Sequence, residues 1–355
     1  MARGLMILYD IPGWILEGAA LFERAAQALR AAGPRAHAAL GMTLGFQGYF
    51  LQLKRPAAGA LILEEAVALL TRAGNATNSA PFLLYLGTTQ IAAARFDAAQ
   101  ARYVQASQLA HASGDQLTQL WALFFQGVVA LYSGEFPTAE QHFWACLDAW
   151  RSQDFKRGVA WALNWLSEVV RQQGRLEAAS AYGREGLQIS STTHDTPGIA
   201  RALRELGALA LVRQDADEAA YLLAESCATF RSIGNPWVFG RSRSLLIQLE
   251  IQQRRFVAAR QGCAELLHLI DEGAAIMLPE LAYGRALLFA AQEQPEQALA
   301  LLMLLADTPG EAATLASVAR LHADLAQQLT SVQVAHAAEL AHSHALLPWL
   351  RKLQI

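Results

Sequence analysis

The sequence contains none of the short motifs that mark the common catalytic sites. Its 355 residues include no G-x-x-x-x-G-K-[ST] phosphate loop, no G-x-G-x-x-G dinucleotide motif, no H-E-x-x-H zinc motif and no G-x-S-x-G nucleophile motif. We therefore predict that the chain is not an enzyme and that it uses no cofactor.

Histidines and cysteines, which commonly bind metals, do not form a metal-binding pattern. The histidines near the C-terminus place only His336 and His344 on one helix face, so we predict no metal site. No two cysteines are in C-x-x-C spacing, and we expect them to be buried free thiols in a reducing compartment. They are Cys146, Cys227 and Cys263.

Basic charge is scarce as well. The chain has only three lysines, a net charge of −3 and a pI of about 6.3, whereas a nucleic-acid-binding protein normally carries a basic stripe. The uncharged segment 116–134 is interrupted by several polar residues, which argues against a membrane span. The N-terminus lacks the pattern of a signal peptide, because Asp10 breaks its short apolar stretch. We predict a cytoplasmic protein without a direct nucleic-acid or membrane partner.

What the sequence does contain is a forty-residue repeat. Two sets of positions recur at that interval, one mostly aromatic or leucine and one always alanine. They are Phe96, Phe136, Leu176, Ala216 and Phe256, and Ala99, Ala139, Ala179, Ala219 and Ala259. A glycine series at the same interval includes Gly74, Gly114 and Gly234, with Asp154 and His194 in the remaining places. Arrays of one small unit mostly act by presenting a long surface to a partner.

Residues 116–154 illustrate one unit. Apolar residues at helical spacing predict a first helix to about Tyr132, and Ser133-Gly134-Glu135 breaks it. Pro137 then stands where the first turn of a second helix tolerates proline. The predicted buried face of that helix consists of Ala139, Phe143, Cys146, Leu147 and Trp150.

This unit resembles the tetratricopeptide repeat. In one copy Gly87, Phe96, Ala99, Tyr103 and Ala106 carry the resemblance. The usual period of that family is about 34 residues, and the longer period here is similar to the arrays of bacterial signal-transduction ATPases such as the MalT-type and AfsR-type regulators. The resemblance implies an all-α, right-handed α-solenoid of about eight helical hairpins. We predict a single domain, with a partial first repeat at 1–34, regular repeats at about 35–310 and a capping hairpin at 311–355.

In tetratricopeptide arrays the first helix of each hairpin lines a concave groove, and the repeat phase transfers those groove positions to this chain. Aromatic rings at one end would contact a sugar, a peptide side chain or a cation, and arginines at the other would hold a carboxylate or phosphate. In the alternative, the rings pack between helices and the arginines pair with nearby glutamates. The positions are Trp121, Phe124, Trp161, Asn164, Glu168, Arg171, Arg201, Arg204, Arg241, Ser244 and Gln248.

The resemblance implies a sensor that binds a peptide, protein or small molecule and controls an ATPase or DNA-binding domain of the same full-length protein. The chain begins inside a repeat, which favours a longer protein. One alternative is a free-standing scaffold that joins proteins through a peptide-binding groove. A remote alternative is an enzyme in which Glu168 acts beside Asn164 and Arg204.

Overall fold

The chain folds into α-helices joined by short turns. In this computed structural model, which describes residues 15–233, 236–306 and 308–353, eighteen α-helices and no β-strand are present over those ranges. The helices are α1 Ile15–Ala31, α2 His37–Gln52, α3 Pro56–Arg72, α4 Ala80–Ala92, α5 Phe96–Ser113, α6 Gln116–Tyr132, α7 Phe136–Ser152, α8 Lys156–Gln172, α9 Leu176–Thr192, α10 Thr196–Val212, α11 Ala216–Ile233, α12 Pro236–Gln252, α13 Phe256–Asp271, α14 Leu278–Ala291, α15 Pro295–Met303, α16 Ala312–Gln328, α17 Ser331–His342 and α18 Leu346–Lys352.

Helices α2 to α17 form eight consecutive helical hairpins. In the first seven the two helices pack on each other, whereas α16 and α17 of the last hairpin both pack on α15. Each hairpin also contacts the next one along the chain, so the array is a right-handed α-solenoid, as the resemblance implied. Helix α1 packs on α2, and α18 follows the last hairpin. No helix in the described ranges is long and apolar enough to cross a membrane.

The glycine series marks turns that need a left-handed residue. Gly114 has φ 69° between α5 and α6, and Asp154 and His194 adopt φ 48° and 54° at the equivalent turns. The turns within hairpins have the same requirement, with Gly174 at φ 79° and Gln214 at φ 63°. Each such turn closes with a bond from an N–H to the carbonyl five residues earlier, as in a Schellman motif. The forty-residue interval is therefore a repeat of backbone conformation as well as of sequence.

Small and large side chains are matched inside each hairpin. A Cβ on Gly87 would lie 2.3 Å from Cε1 of Tyr103, and one on Gly127 would lie 2.9 Å from Cε1 of Phe143. Each glycine thus makes room for the aromatic ring of the second helix. In the next hairpin Ser167 replaces the glycine and Gly183 replaces the ring, and a Cβ on Gly183 would lie 3.1 Å from both Ser167 Oγ and Cδ2 of Leu206.

The unit predicted at 116–154 is confirmed. Helices α6 and α7 have the expected limits, Gly134 forms the turn between them at φ 82°, and Pro137 lies in the first turn of α7. The buried residues of α7 are those of the predicted face, Ala139, Phe143, Cys146, Leu147 and Trp150.

The C-terminal end differs from expectation. Pro348 was expected to end the last helix and to leave a tail, but it lies in the first turn of α18, where a missing N–H costs nothing. Trp349 and Leu350 of α18 are buried against the array. The expected partner of α1 at 1–10 lies outside the described residues, and the predicted division at residues 34 and 310 stays a prediction.

The superhelix curves until distant hairpins touch. Helix α16 contacts α6, and a Cβ on Gly134 would lie 3.1 Å from Cβ of Ala312. Arg241 of α12 donates to the hydroxyl of Tyr132 at the end of α6, 3.0 Å away. The last hairpin therefore lies across the concave side of the array and partly closes it.

Candidate ligand-binding cavity

A cavity of about 410 Å³ lies on the concave side of the second half of the array. Its lining comes from α8, α10, α12, α14 and α16 with the residue preceding it, and each of these is the first helix of its hairpin. Five of the groove positions predicted from the sequence contribute to the lining of this cavity, namely Arg171, Arg204, Arg241, Ser244 and Gln248.

A buried ion cluster forms the floor of this region. The carboxylate of Glu168 is fully buried and lies 2.7 Å from Arg204, 2.5 Å from Arg241 and 3.6 Å from Arg201. Burial alone would raise the pKa of Glu168, but the charges of the three arginines outweigh it and hold that pKa well below its usual range. Glu168 therefore holds the arginines in place, and its burial separates it from the cavity surface.

Arg241 joins three parts of the fold. Its Nη2 donates to both carboxylate oxygens of Glu311 at 2.8 Å, and its guanidinium also contacts Glu168 and Tyr132. Although burial opposes it, the charges of the two glutamates keep the pKa of Arg241 well above its ordinary value. Glu311 precedes α16, so this ion pair fixes the last hairpin to the concave face.

The remaining arginines are less fully paired. Arg201 stacks its guanidinium 3.9 Å from the ring centre of Trp165, and burial lowers the pKa of Arg201 to about 10. Arg204 contacts Glu168 and Glu205, yet its buried Nε has no hydrogen-bond partner. Arg171 reaches Glu205 through Nε at 3.3 Å.

The aromatic positions lie inside the fold. Phe124 and Asn164 are fully buried, and Asn164 Nδ2 donates to the carbonyl of Gly198 at 3.1 Å. Trp161 is half-buried and donates from Nε1 to Asp195 at 2.7 Å. Trp121 is also half-buried, and its aromatic partners are Phe124, Phe125, Trp150, Phe155 and Trp161. These groups do not line the cavity, and their contact with a ligand stays a prediction.

Glu280 of α14 is the unusual carboxyl of the cavity wall. It is 4% exposed, its Oε1 accepts from the Thr314 hydroxyl at 3.1 Å, and its Oε2 is buried without a hydrogen-bond partner. Burial, reinforced by the charge of Glu311, raises the pKa of Glu280 to about 8. Near neutral pH this carboxyl is therefore mostly protonated and can donate a hydrogen bond.

Glu280 and Tyr283 were missed from the sequence although a signal existed. The series Trp121, Trp161, Arg201, Arg241 continues at Glu280 if the last step is thirty-nine residues instead of forty. The alanine series shortens in the same hairpin, from Ala259 to Ala298. By contrast, Glu311, Thr314 and Arg320 reach the cavity from the hairpin lying across it, which repeat phase does not predict.

Comparison with known proteins agrees with this architecture. The family model described as "MalT-like TPR region" matches residues 109–303. The regulatory protein AfsR of Streptomyces griseus is 27% identical over 197 residues, which are 45% of this chain but only 20% of AfsR. The chain thus spans about a fifth of that relative.

Solved structures share the fold at low identity. A Rap protein complexed with Competence and Sporulation Factor has a TM-score of 0.60 at 14% identity, with 93% of this chain and 99% of that chain covered. The Rap conjugation gene regulator of plasmid pLS20, in complex with the Phr* peptide, has a TM-score of 0.56 at 15% identity, with 81% and 76% covered. Both are arrays onto which this chain superposes over most of its length.

Proposed function

Because the chain belongs to the family of MalT-like TPR regions, we propose that it is the ligand- or protein-binding sensor array of a larger bacterial signal-transduction ATPase regulator. In this proposal the binding surface is the concave groove, and the ATPase and DNA-binding domains belong to the same full-length, cytoplasmic protein. The similarity to the regulatory protein AfsR supports this context.

The observation that carries the proposal is that five hairpins contribute to one cavity. A ligand seated among α8, α10, α12, α14 and α16 contacts helices that are far apart in sequence. Its binding energy would depend on how these hairpins are arranged, so it would favour one curvature of the array over others. A change of curvature is what a sensor array needs to pass to an attached domain.

The groove residues take different roles in this proposal. Arg171, Arg204, Arg241, Ser244 and Gln248 line the cavity and contact the ligand. The other positions support them, Glu168 and Arg201 through the ion cluster and the aromatic positions through packing. They are Trp121, Phe124, Trp161, Asn164, Glu168 and Arg201.

A free-standing scaffold is the second candidate. This chain covers 99% of the solved chain of the Rap protein complexed with Competence and Sporulation Factor, which supports an array of this size as a unit by itself. We propose no catalytic activity, because Glu168 and Asn164 are both fully buried among their partners. A coding sequence upstream of Met1 with a phosphate-loop motif supports the regulator, and a start codon at Met1 with no such domain supports the scaffold.

The groove is tested with Tyr283, which lines the cavity, and Tyr221, which is 66% exposed and does not line it. Compounds and peptides that raise the melting temperature are titrated by calorimetry into the wild type, Tyr283→Ala and Tyr221→Ala. We expect tenfold or greater weakening, about 1.4 kcal/mol or more, for Tyr283→Ala alone. An equal loss of affinity in both variants, or a loss of affinity in Tyr221→Ala only, contradicts the proposal.

A further inference from the structure

The cavity wall carries hydrogen-bonding capacity that the protein leaves unused. Oε2 of Glu280 is buried and unpartnered, although the carboxyl lines the cavity. Arg171 also lines it, and within the described chain only its Nε makes a hydrogen bond, which leaves the paired terminal nitrogens open. Buried polar atoms without partners are rare, and their cost is removed when a ligand satisfies them.

The charge of the lining favours an anion. Four arginines and three glutamates line the cavity, so the lining has an excess of one positive charge even with every carboxyl ionised. When Glu280 is protonated, the excess is two. The residues are Arg171, Arg204, Arg241, Arg320, Glu205, Glu280 and Glu311. A cationic ligand would meet this excess unfavourably.

We propose that this cavity binds a small carboxylate-bearing molecule, whose carboxylate accepts hydrogen bonds from the Arg171 guanidinium and from the protonated carboxyl of Glu280. The inference rests on the proposed function, since it names the ligand class of the same groove. A planar carboxylate matches the paired nitrogens of an arginine. The cavity volume of about 410 Å³ is that of a small-molecule site.

The proposal makes binding depend on pH through Glu280. Arg241 of α12, Glu311 just before α16 and Thr314 of α16 face this carboxyl. Arg171 and Glu205 lie on α8 and α10 of the same cavity. On its own helix the neighbouring titratable groups are Tyr283 and Arg285, and on α16 there is also Arg320. Helices α13 and α15, which also pack on α14, contribute no lining residue.

Glutarate, a five-carbon dicarboxylate, is a suitable probe because both of its carboxyl groups are largely ionised from about pH 6 upward. In calorimetry on the 355-residue chain we expect binding to be about tenfold weaker near pH 9 than near pH 6, because only about a tenth of Glu280 stays protonated there. Glu280→Gln keeps a neutral donor at that position, so it should bind glutarate about as tightly as the wild type at the lower pH and lose this pH dependence. Arg171→Ala should bind at least tenfold more weakly.

The matched controls separate this site from general charge effects. Arg151 is an exposed arginine of α7 that pairs with Glu185, so Arg151→Ala should bind glutarate like the wild type. The diamine 1,5-diaminopentane has the same length as glutarate and the opposite charge, and it should not bind.

Four results overturn the inference: glutarate fails to bind, affinity rises with pH, Glu280→Gln abolishes binding, or the diamine is the better ligand. Persistence of the pH dependence in Glu280→Gln overturns it as well, because a group other than Glu280 then titrates. If compounds or peptides that raise the melting temperature bind more weakly to Tyr283→Ala while glutarate does not bind, the proposed function stands and the carboxylate inference fails.

Discussion

Neutralising Glu168 should be among the most damaging single changes in this fold. Its carboxylate is fully buried, and it compensates the charges of Arg201, Arg204 and Arg241. Glu168→Gln keeps the shape but leaves one arginine charge uncompensated in the interior. Breaking a buried ion pair in this way costs about 3–5 kcal/mol of folding free energy.

The measurement is urea unfolding followed by circular dichroism, with Glu185→Gln as the control. Glu185 pairs with Arg151 at 3.0 Å, but both side chains are nearly half exposed, and exposed pairs contribute about 0–1 kcal/mol. We expect the Glu168→Gln midpoint to fall well below that of the control. If the two variants lose similar stability, the buried cluster does not hold the array together as argued.

The same carboxylate has a signature in acid. Because the pKa of Glu168 is lower in the folded chain than its ordinary value of 4.5, its contribution is complete above that value and is lost as the pH falls below it. The stability difference between wild type and Glu168→Gln should therefore shrink in acid. A stability difference between the two proteins that stays constant from neutral to acidic pH would show that the charge of Glu168 is not the source of its stabilising effect.

Two further predictions concern stability. The pKa of Glu280 rises from 4.5 to about 8 on folding, so the wild type should lose stability relative to Glu280→Gln as the pH increases through that window. The loss of folding free energy is at most about 5 kcal/mol, and urea unfolding at several pH values measures it. Gln214 adopts φ 63° at an exposed turn, and the preceding hairpin has Gly174 at the equivalent position. Gln214→Gly should therefore stabilise the array by about 1 kcal/mol, and Gly174→Gln should destabilise it by a similar amount. Thermal unfolding of the two variants measures both effects.

The fold was readable from the sequence because each local rule recurs in several hairpins. Packing of Tyr103 against Gly87 is repeated by Phe143 against Gly127, and the left-handed turns recur even where Asp154 replaces glycine. Such repetition averages out the weak propensity of any single segment. The prediction at Pro348 was wrong because a proline can stand either after a helix or in its first turn. This segment has no equivalent in the other hairpins with which it could be compared.

The candidate site was only partly readable, for a physical reason. Repeat phase identifies which face of a helix is concave, and three of the positions that it selects, Arg171, Arg204 and Arg241, line the cavity. It does not say how far a side chain is covered by its neighbours, and Phe124 is fully buried on that same face. Nor does it show that α16 crosses the groove, because this depends on curvature summed over many hairpins.

The position of α16 across the groove limits how many hairpins the array can have. An open array tolerates gain or loss of a unit, because each unit contacts only its neighbours. Here four complete hairpins, α8 to α15, lie between the hairpin that contains the turn at Gly134 and Ala312, which meets that turn. Adding or removing one of them would rotate α16 away from the turn at Gly134. The number of hairpins between these two points is therefore fixed by closure of the superhelix, as the number of strands is fixed in a barrel.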